Sequence, residues 1–181
     1  MRRLLPLLAL LACDPPDEAP AAPPAVPVVT GTHSSPAAVA TFAALAAPCC
    51  GDPASQAVVD AGINLAEALA ADKAPEASAA WSALVAGTPA LEAANPALAA
   101  PLRAAIDGAG VVAPGDLNAL RAGLAATAEP LRAVAKTGGG AGQVVLAFCP
   151  MKPGRWLQRK DGIANPYYGA KMPTCGTFEA L

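Results

Sequence analysis

Four sulfur-bearing side chains lie in two short clusters near the end of this 181-residue chain. Cys149 and Met151 are two positions apart, so both side chains leave the same side of an extended backbone. Met172 and Cys175 are three positions apart and can meet on one face of a turn. Thiolates and thioethers are soft ligands. Together, the two pairs would select Cu(I), and by the same logic Ag(I), over magnesium or calcium.

A structural disulfide between Cys149 and Cys175 is the alternative interpretation of the same residues. An oxidising compartment favours such a bond, which would fasten the tail of the chain to the preceding helices. Methionines commonly fill gaps in a core, so Met151 and Met172 need not be ligands. Residue chemistry by itself slightly favours the disulfide.

Cys49 and Cys50 widen the choice of pairings. If Cys13 is set apart, four thiols remain and allow three disulfide connectivities. A bridge between adjacent cysteines is strained, so Cys49 or Cys50 would pair with Cys149 or Cys175, or add a metal ligand. Of these hypotheses, we favour a structural disulfide for Cys49 or Cys50.

A longer motif surrounds the two sulfur clusters and closely resembles a bacterial domain of unknown function. That domain occurs alone or at the end of copper and silver efflux membrane fusion proteins. The motif consists of Cys149-Pro150-Met151, Trp156, Asn165-Pro166-Tyr167-Tyr168-Gly169, Met172 and Cys175-Gly176, in that order. Weaker similarity reaches back to Leu65 through Asp72 and to the region around Arg121, so the resemblance covers roughly residues 56–176.

This resemblance implies a small helical bundle domain linked to metal efflux, and it favours the metal site over the disulfide. It implies efflux-system components as partners and Cu(I) as the bound cofactor. The implied ligands are Cys149, Met151, Met172 and Cys175. The implied wall of the site is formed by Trp156, Asn165, Tyr167 and Tyr168.

The start of the chain has the pattern of an export signal, with Arg2 and Arg3 followed by an apolar run over residues 4–11. This run is too short to cross a bilayer, which takes about 20 residues. The sequence ending in Ala12-Cys13 resembles a lipobox, which implies cleavage after residue 12 and acylation of Cys13. We therefore expect a lipoprotein of the cell envelope, anchored to a membrane by Cys13 and facing the periplasm or the exterior.

Several functions lose support from what the sequence lacks. His33 is the single histidine and lies in a Pro/Ala-rich stretch, which argues against histidine-based triads and the usual zinc-hydrolase motif. The glycines at 138–142 are not followed by the Lys-Ser or Lys-Thr of a phosphate loop. Removal of the signal peptide takes away Arg2 and Arg3, so the net charge changes from −2 to −4, which argues against nucleic acid as a partner. We expect neither enzymatic activity nor a small organic substrate.

Four regions are predicted along the chain. Residues 1–12 form the signal peptide, and residues 13–35 form a lipidated, Pro/Ala-rich tether. Residues 36–55 contain a short helix and the Cys49-Cys50 connector. Residues 56–181 form a helical bundle domain that carries the Cys/Met motif.

The hydrophobic spacing predicts a mainly α fold, namely a small antiparallel helical bundle with a short strand and an irregular, sulfur-rich C-terminal segment. One helix begins at Asp52-Pro53 and ends near Asp72-Lys73. The next helices cover Pro75 to Gly87, Pro89 to about Ile106 with breaks at two prolines, and Pro114 to Gly138. Trp81 is expected in the core. A strand follows at 144–148, and then a solvated basic loop that contains Lys152, Arg155, Arg159 and Lys160.

Overall fold

The computed structural model describes residues 51–138, 144–152 and 154–181. The predicted signal peptide, the tether, and Cys13, His33, Cys49 and Cys50 lie outside these ranges. Four α-helices come first, α1 (Pro53–Ala70), α2 (Ala74–Ala94), α3 (Pro96–Ala109) and α4 (Leu117–Gly138). They are followed by β1 (Val144–Cys149), β2 (Gly154–Arg159), a short 3-10 helix (Gly169–Lys171) and β3 (Thr177–Glu179). The described part of the chain is therefore mainly α, as predicted.

Short polar side chains cap the starts of α1, α3 and α4. The Asp52 carboxylate accepts from the backbone N–H groups of Ala54 and Ser55, which begins α1 at the predicted place. The carboxylate of Asp116 accepts from two backbone N–H groups in the first turn of α4. Each cap satisfies N–H groups that have no partner within the helix.

The predicted end of a helix at Gly87 is wrong. Helix α2 continues through Gly87 and Pro89 and ends before Asn95. A single glycine inside a helix costs only about 1 kcal/mol, which packing can offset. The break falls at Asn95 because this side chain accepts from the N–H of Leu98 and so starts α3 with Pro96 in the first turn.

The core lies where α1 meets α2 and α4, and α3 packs against α2 and α4. Close approach of α1 and α4 depends on Gly62, because a Cβ at this position would lie 2.6 Å from the Leu131 side chain. Trp81 is buried in this core, as predicted. Among the described residues, no helix is long and apolar enough to span a bilayer.

The three strands form an antiparallel sheet in the order β2-β1-β3. The strand predicted at 144–148 is present as β1, but the predicted basic loop is wrong, because most of it is strand β2. Trp156 and Leu157 on β2 are buried. The arginines at its two ends remain near the surface and form ion pairs, Arg155 with Glu179 at 2.7 Å and Arg159 with Glu67 on α1.

Candidate functional site

Cys149 and Cys175 meet at the end of the sheet. Cys149 is the last residue of β1, and Cys175 lies in the loop that leads into β3. Their Sγ atoms are 3.6 Å apart, and both residues are free thiols. Cys149 is completely buried, whereas Cys175 is only partly buried. The structure therefore brings together the two cysteines that the sequence singles out.

Two glycines allow close packing around the end of β1, where the thiols lie. Gly154 lies opposite Cys149 on β2, and a Cβ there would lie 2.7 Å from the ring of Tyr167. Gly176 has a φ of +154°, and a Cβ there would lie 3.0 Å from the carbonyl oxygen of Phe148. A larger residue at either position would force the segment between β2 and β3, residues 160–176, away from the sheet. We call this segment the covering loop.

The pKa values of the two thiols shift in opposite directions. Burial alone would raise the pKa of Cys149. Hydrogen bonds from the backbone N–H of Lys152, the Asn165 side chain, Cys175 and the N–H of Met151 outweigh burial and lower this pKa. The pKa of Cys175 is raised, first because its thiol bonds to Cys149, then by burial and by the charge on Cys149. When the pair loses one proton, the negative charge is favoured on Cys149, and the Cys175 thiol then donates a hydrogen bond to it.

Asn165 connects both cysteines to the loop that covers them. Its side chain is fully buried and bonds to Cys149, and its Nδ2 also donates to the carbonyl oxygen of Cys175 at 2.6 Å. Its Oδ1 accepts from the backbone N–H groups of Tyr167 and Tyr168. One amide group therefore holds the loop and the thiol pair in a single arrangement.

The aromatic residues of the predicted wall lie near the end of β1. Trp156 is fully buried and meets Tyr167 edge-on, with ring centroids 5.8 Å apart. The Tyr167 hydroxyl donates to the carbonyl oxygen of Arg155 at 2.6 Å, and burial and then the charge on Cys149 raise its pKa. The Tyr168 hydroxyl donates to the Met151 carbonyl oxygen at 3.5 Å. Tyr167 packs over Gly154, which lies opposite Cys149, so the structure places this wall residue at the end of β1.

The two methionines lie in the turns next to the thiols. The backbone N–H of Met151 bonds to Cys149, and the carbonyl oxygen of Met172 accepts from the N–H of Cys175 at 3.3 Å. Their side chains are 64% and 37% exposed. Ligation by Met151 and Met172 stays a prediction. In residues 51–138, 144–152 and 154–181, no three His, Cys, Asp or Glu side chains converge as a metal-ligand group.

Arg121 on α4 fixes the covering loop to the helices, a role that residue chemistry alone did not reveal. Its guanidinium donates to the carbonyl oxygens of Pro166 and Leu69 at 2.9 and 3.3 Å, and pairs with Asp72 at 2.5 Å. The Asp72 carboxylate also accepts from the Ala170 N–H, and this bond and Arg121 lower its pKa. The only signal in the sequence was the weak similarity at Leu65–Asp72 and around Arg121.

No protein-family model, curated protein or solved structure matches the chain. The function therefore has to be inferred from the residues and their geometry.

The spacing of the thiols permits two reactions. Two sulfurs 3.6 Å apart that each lie about 2.3 Å from one metal ion would subtend an angle of about 100°, which is near tetrahedral. A disulfide requires a separation of about 2.05 Å, so the sulfurs would have to approach each other. Both metal binding and oxidation are within reach of this pair.

Proposed function

We propose that this chain is an extracytoplasmic, lipid-anchored module that binds a soft metal ion, Cu(I) or Ag(I), and serves metal efflux or homeostasis. Cys149 and Cys175 are the thiolate ligands, and Met151 and Met172 supply thioethers from the two neighbouring turns. An antiparallel arrangement of the four helices and a membrane anchor at Cys13 are part of the proposal.

The observation that carries the proposal is the 3.6 Å separation of two thiols, one at the end of β1 and one in the loop before β3. A thiolate is the form of cysteine that binds metal. The hydrogen bonds to Cys149 favour this form before any metal arrives. Such N–H and amide donors around a ligand also fix its orientation, as outer-shell partners do in metal sites. The resemblance to a domain of copper and silver efflux proteins supports the same ion.

The exposed methionines fit a site that exchanges its metal. Met151 and Met172 are exposed, while Cys149 is completely buried. An incoming ion would meet the thioethers first and then the thiols. Efflux-system components that receive the ion could approach from the same side. The site would then pass metal on in preference to storing it.

The second candidate function is a disulfide-stapled domain that docks a partner and holds no metal. The same proximity of Cys149 and Cys175 favours it. The two hypotheses differ in whether the reduced protein binds copper and in whether the methionines contribute.

Competition titration of the reduced, detergent-solubilised chain against a colorimetric Cu(I) chelator tests the proposal. We expect one Cu(I) per chain. Cys149→Ser or Cys175→Ser should abolish tight binding, whereas Met151→Leu or Met172→Leu should weaken it without loss of the fold, because such exchanges usually cost less than about 1.5 kcal/mol.

The matched control is the double variant Cys49→Ser with Cys50→Ser, which removes two thiols outside the proposed ligand set. It should bind Cu(I) as the wild type does. A reduced wild-type chain that takes up no copper would refute the proposal, and methionine variants with unchanged affinity would remove the thioethers from it.

A further inference from the structure

The two sulfurs differ in how easily an external molecule can reach them. Cys149 ends the central strand β1 and is completely buried. Cys175 is only partly buried and lies on the loop that leads into β3. A thiol or a disulfide from solution therefore meets Cys175 first. Thiol–disulfide exchange depends on which sulfur is accessible and on how well the other sulfur leaves.

The two sulfurs are 3.6 Å apart, so Cys149 is the sulfur that leaves when Cys175 in a disulfide between them is attacked. Donors from three directions converge on Cys149, namely the backbone N–H groups of the turn after β1, the Asn165 amide and the Cys175 thiol. These donors stabilise a thiolate but form only weak hydrogen bonds to a neutral disulfide sulfur. They therefore favour the reduced pair, and they speed the departure of Cys149 when the Cys175 sulfur is attacked.

We propose that Cys149 and Cys175 form a reversible dithiol–disulfide couple that exchanges with external thiols and disulfides through the sulfur of Cys175. In reduction, an external thiolate attacks Cys175 in the disulfide, the bond between the two cysteines breaks, and its electron pair leaves on Cys149. A second external thiolate then attacks the outer sulfur of this mixed disulfide and releases Cys175, which takes a proton from water. The two external thiols leave as one disulfide, having given two electrons to the protein.

In oxidation, the same steps run backwards with an external disulfide as the oxidant. This chemistry distinguishes the pair from a structural staple, which resists reduction by glutathione. Oxidation also removes both thiolates from the site, so the couple would decide when metal can bind. That last consequence rests on the proposed function, whereas the exchange chemistry does not.

The equilibrium is tested on the full chain, freed of metal by a chelator and held in mixtures of reduced and oxidised glutathione. Alkylation followed by peptide mass spectrometry reads Cys149 and Cys175 separately from the other three cysteines. We expect half reduction within the range of glutathione mixtures. A Cys149–Cys175 disulfide that persists in excess reduced glutathione would overturn the proposal, as would a pair that never oxidises.

Asn165→Asp tests the donors, because it keeps an oxygen for the N–H groups of Tyr167 and Tyr168 but removes the N–H donor to Cys149. Loss of one hydrogen bond to the Cys149 thiolate should shift the equilibrium about tenfold toward the disulfide, because hydrogen bonds to charged groups are among the stronger ones. The matched control is Asn64→Asp on the exposed face of α1, which should leave the equilibrium unchanged. An unchanged equilibrium in a folded Asn165→Asp variant would contradict the proposed role of the donors.

Single-cysteine variants test the direction of attack and do not depend on Asn165→Asp folding. With oxidised glutathione, Cys175 in Cys149→Ser should form a mixed disulfide at least about tenfold faster than Cys149 in Cys175→Ser. The opposite order would overturn the proposal. A chain that passes these metal-free tests but binds no Cu(I) would refute the proposed function alone. A chain that binds Cu(I) but fails these tests would refute only the dithiol–disulfide couple.

Discussion

Replacement of Arg121 by alanine should detach the covering loop from the helices. The Arg121 side chain is only 12% exposed, and it bonds to the carbonyl oxygens of Pro166 and Leu69 as well as to Asp72. Hydrogen bonds to a charged group contribute roughly 1.5 to 3 kcal/mol each. The two carbonyl bonds alone therefore predict a loss of roughly 3 to 6 kcal/mol. The ion pair with the more exposed Asp72 adds little, because solvent screens it.

Urea unfolding followed by circular dichroism measures this loss. Arg103→Ala is the matched control, because Arg103 is also helical but is 43% exposed and makes only a surface ion pair with Glu92 at 3.4 Å. A surface pair contributes at most about 1 kcal/mol. If Arg121→Ala and Arg103→Ala lose the same stability, the assignment of Arg121 as the residue that fixes the loop is refuted.

Three further predictions concern the loop, the pH dependence and the anchor. Gly176→Ala should lower the melting temperature and slow disulfide formation within the site, because its Cβ would lie 3.0 Å from the Phe148 carbonyl oxygen; an unchanged rate would contradict this packing. The hydrogen bond from the Ala170 N–H, and then Arg121, lower the pKa of Asp72 in the folded chain. The Asp72 carboxylate therefore stabilises the fold at pH values above the ordinary pKa of 3.8, and this stabilisation is lost as the pH falls through the folded pKa. The melting temperature of Asp72→Asn should accordingly be lower than that of the wild type near neutral pH, and the two should converge in acid. A difference that stays constant with pH would contradict this role of Asp72. Cys13→Ser should release the chain from membranes or leave it uncleaved, as fractionation and mass spectrometry would detect; unchanged processing would refute lipidation.

The helical part of the fold was largely predictable from local signals. Asp52 and Asp116 are capping residues next to a proline or a glycine, and the apolar spacing after each one continues for several turns. Prolines were less informative, because Pro89, Pro101 and Pro130 all lie inside helices. Pro96 marks a break because the preceding Asn95 can cap a new helix, and this depends on the side chain before the proline.

Strand β2 could not be predicted, since the partners that stabilise it are distant in the sequence. Arg155 pairs with Glu179 and Arg159 with Glu67, so a segment rich in basic residues is neutralised only in the folded chain. The approach of Cys149 to Cys175 followed from the motif. The sequence did not predict that Asn165 and the backbone N–H groups bond to Cys149, because only the folded chain brings them together.

X-ray absorption at the copper edge of the Cu(I)-loaded full chain tests the central claim most directly. Ligation by Cys149 and Cys175, with thioethers from Met151 and Met172, predicts a first shell made of sulfur alone at about 2.3 Å, the distance typical of metal thiolates. Loss of part of this shell in Met172→Leu would identify a thioether ligand. A first shell dominated by oxygen or nitrogen in the wild type, or one that Cys149→Ser leaves unchanged, would contradict the proposed site.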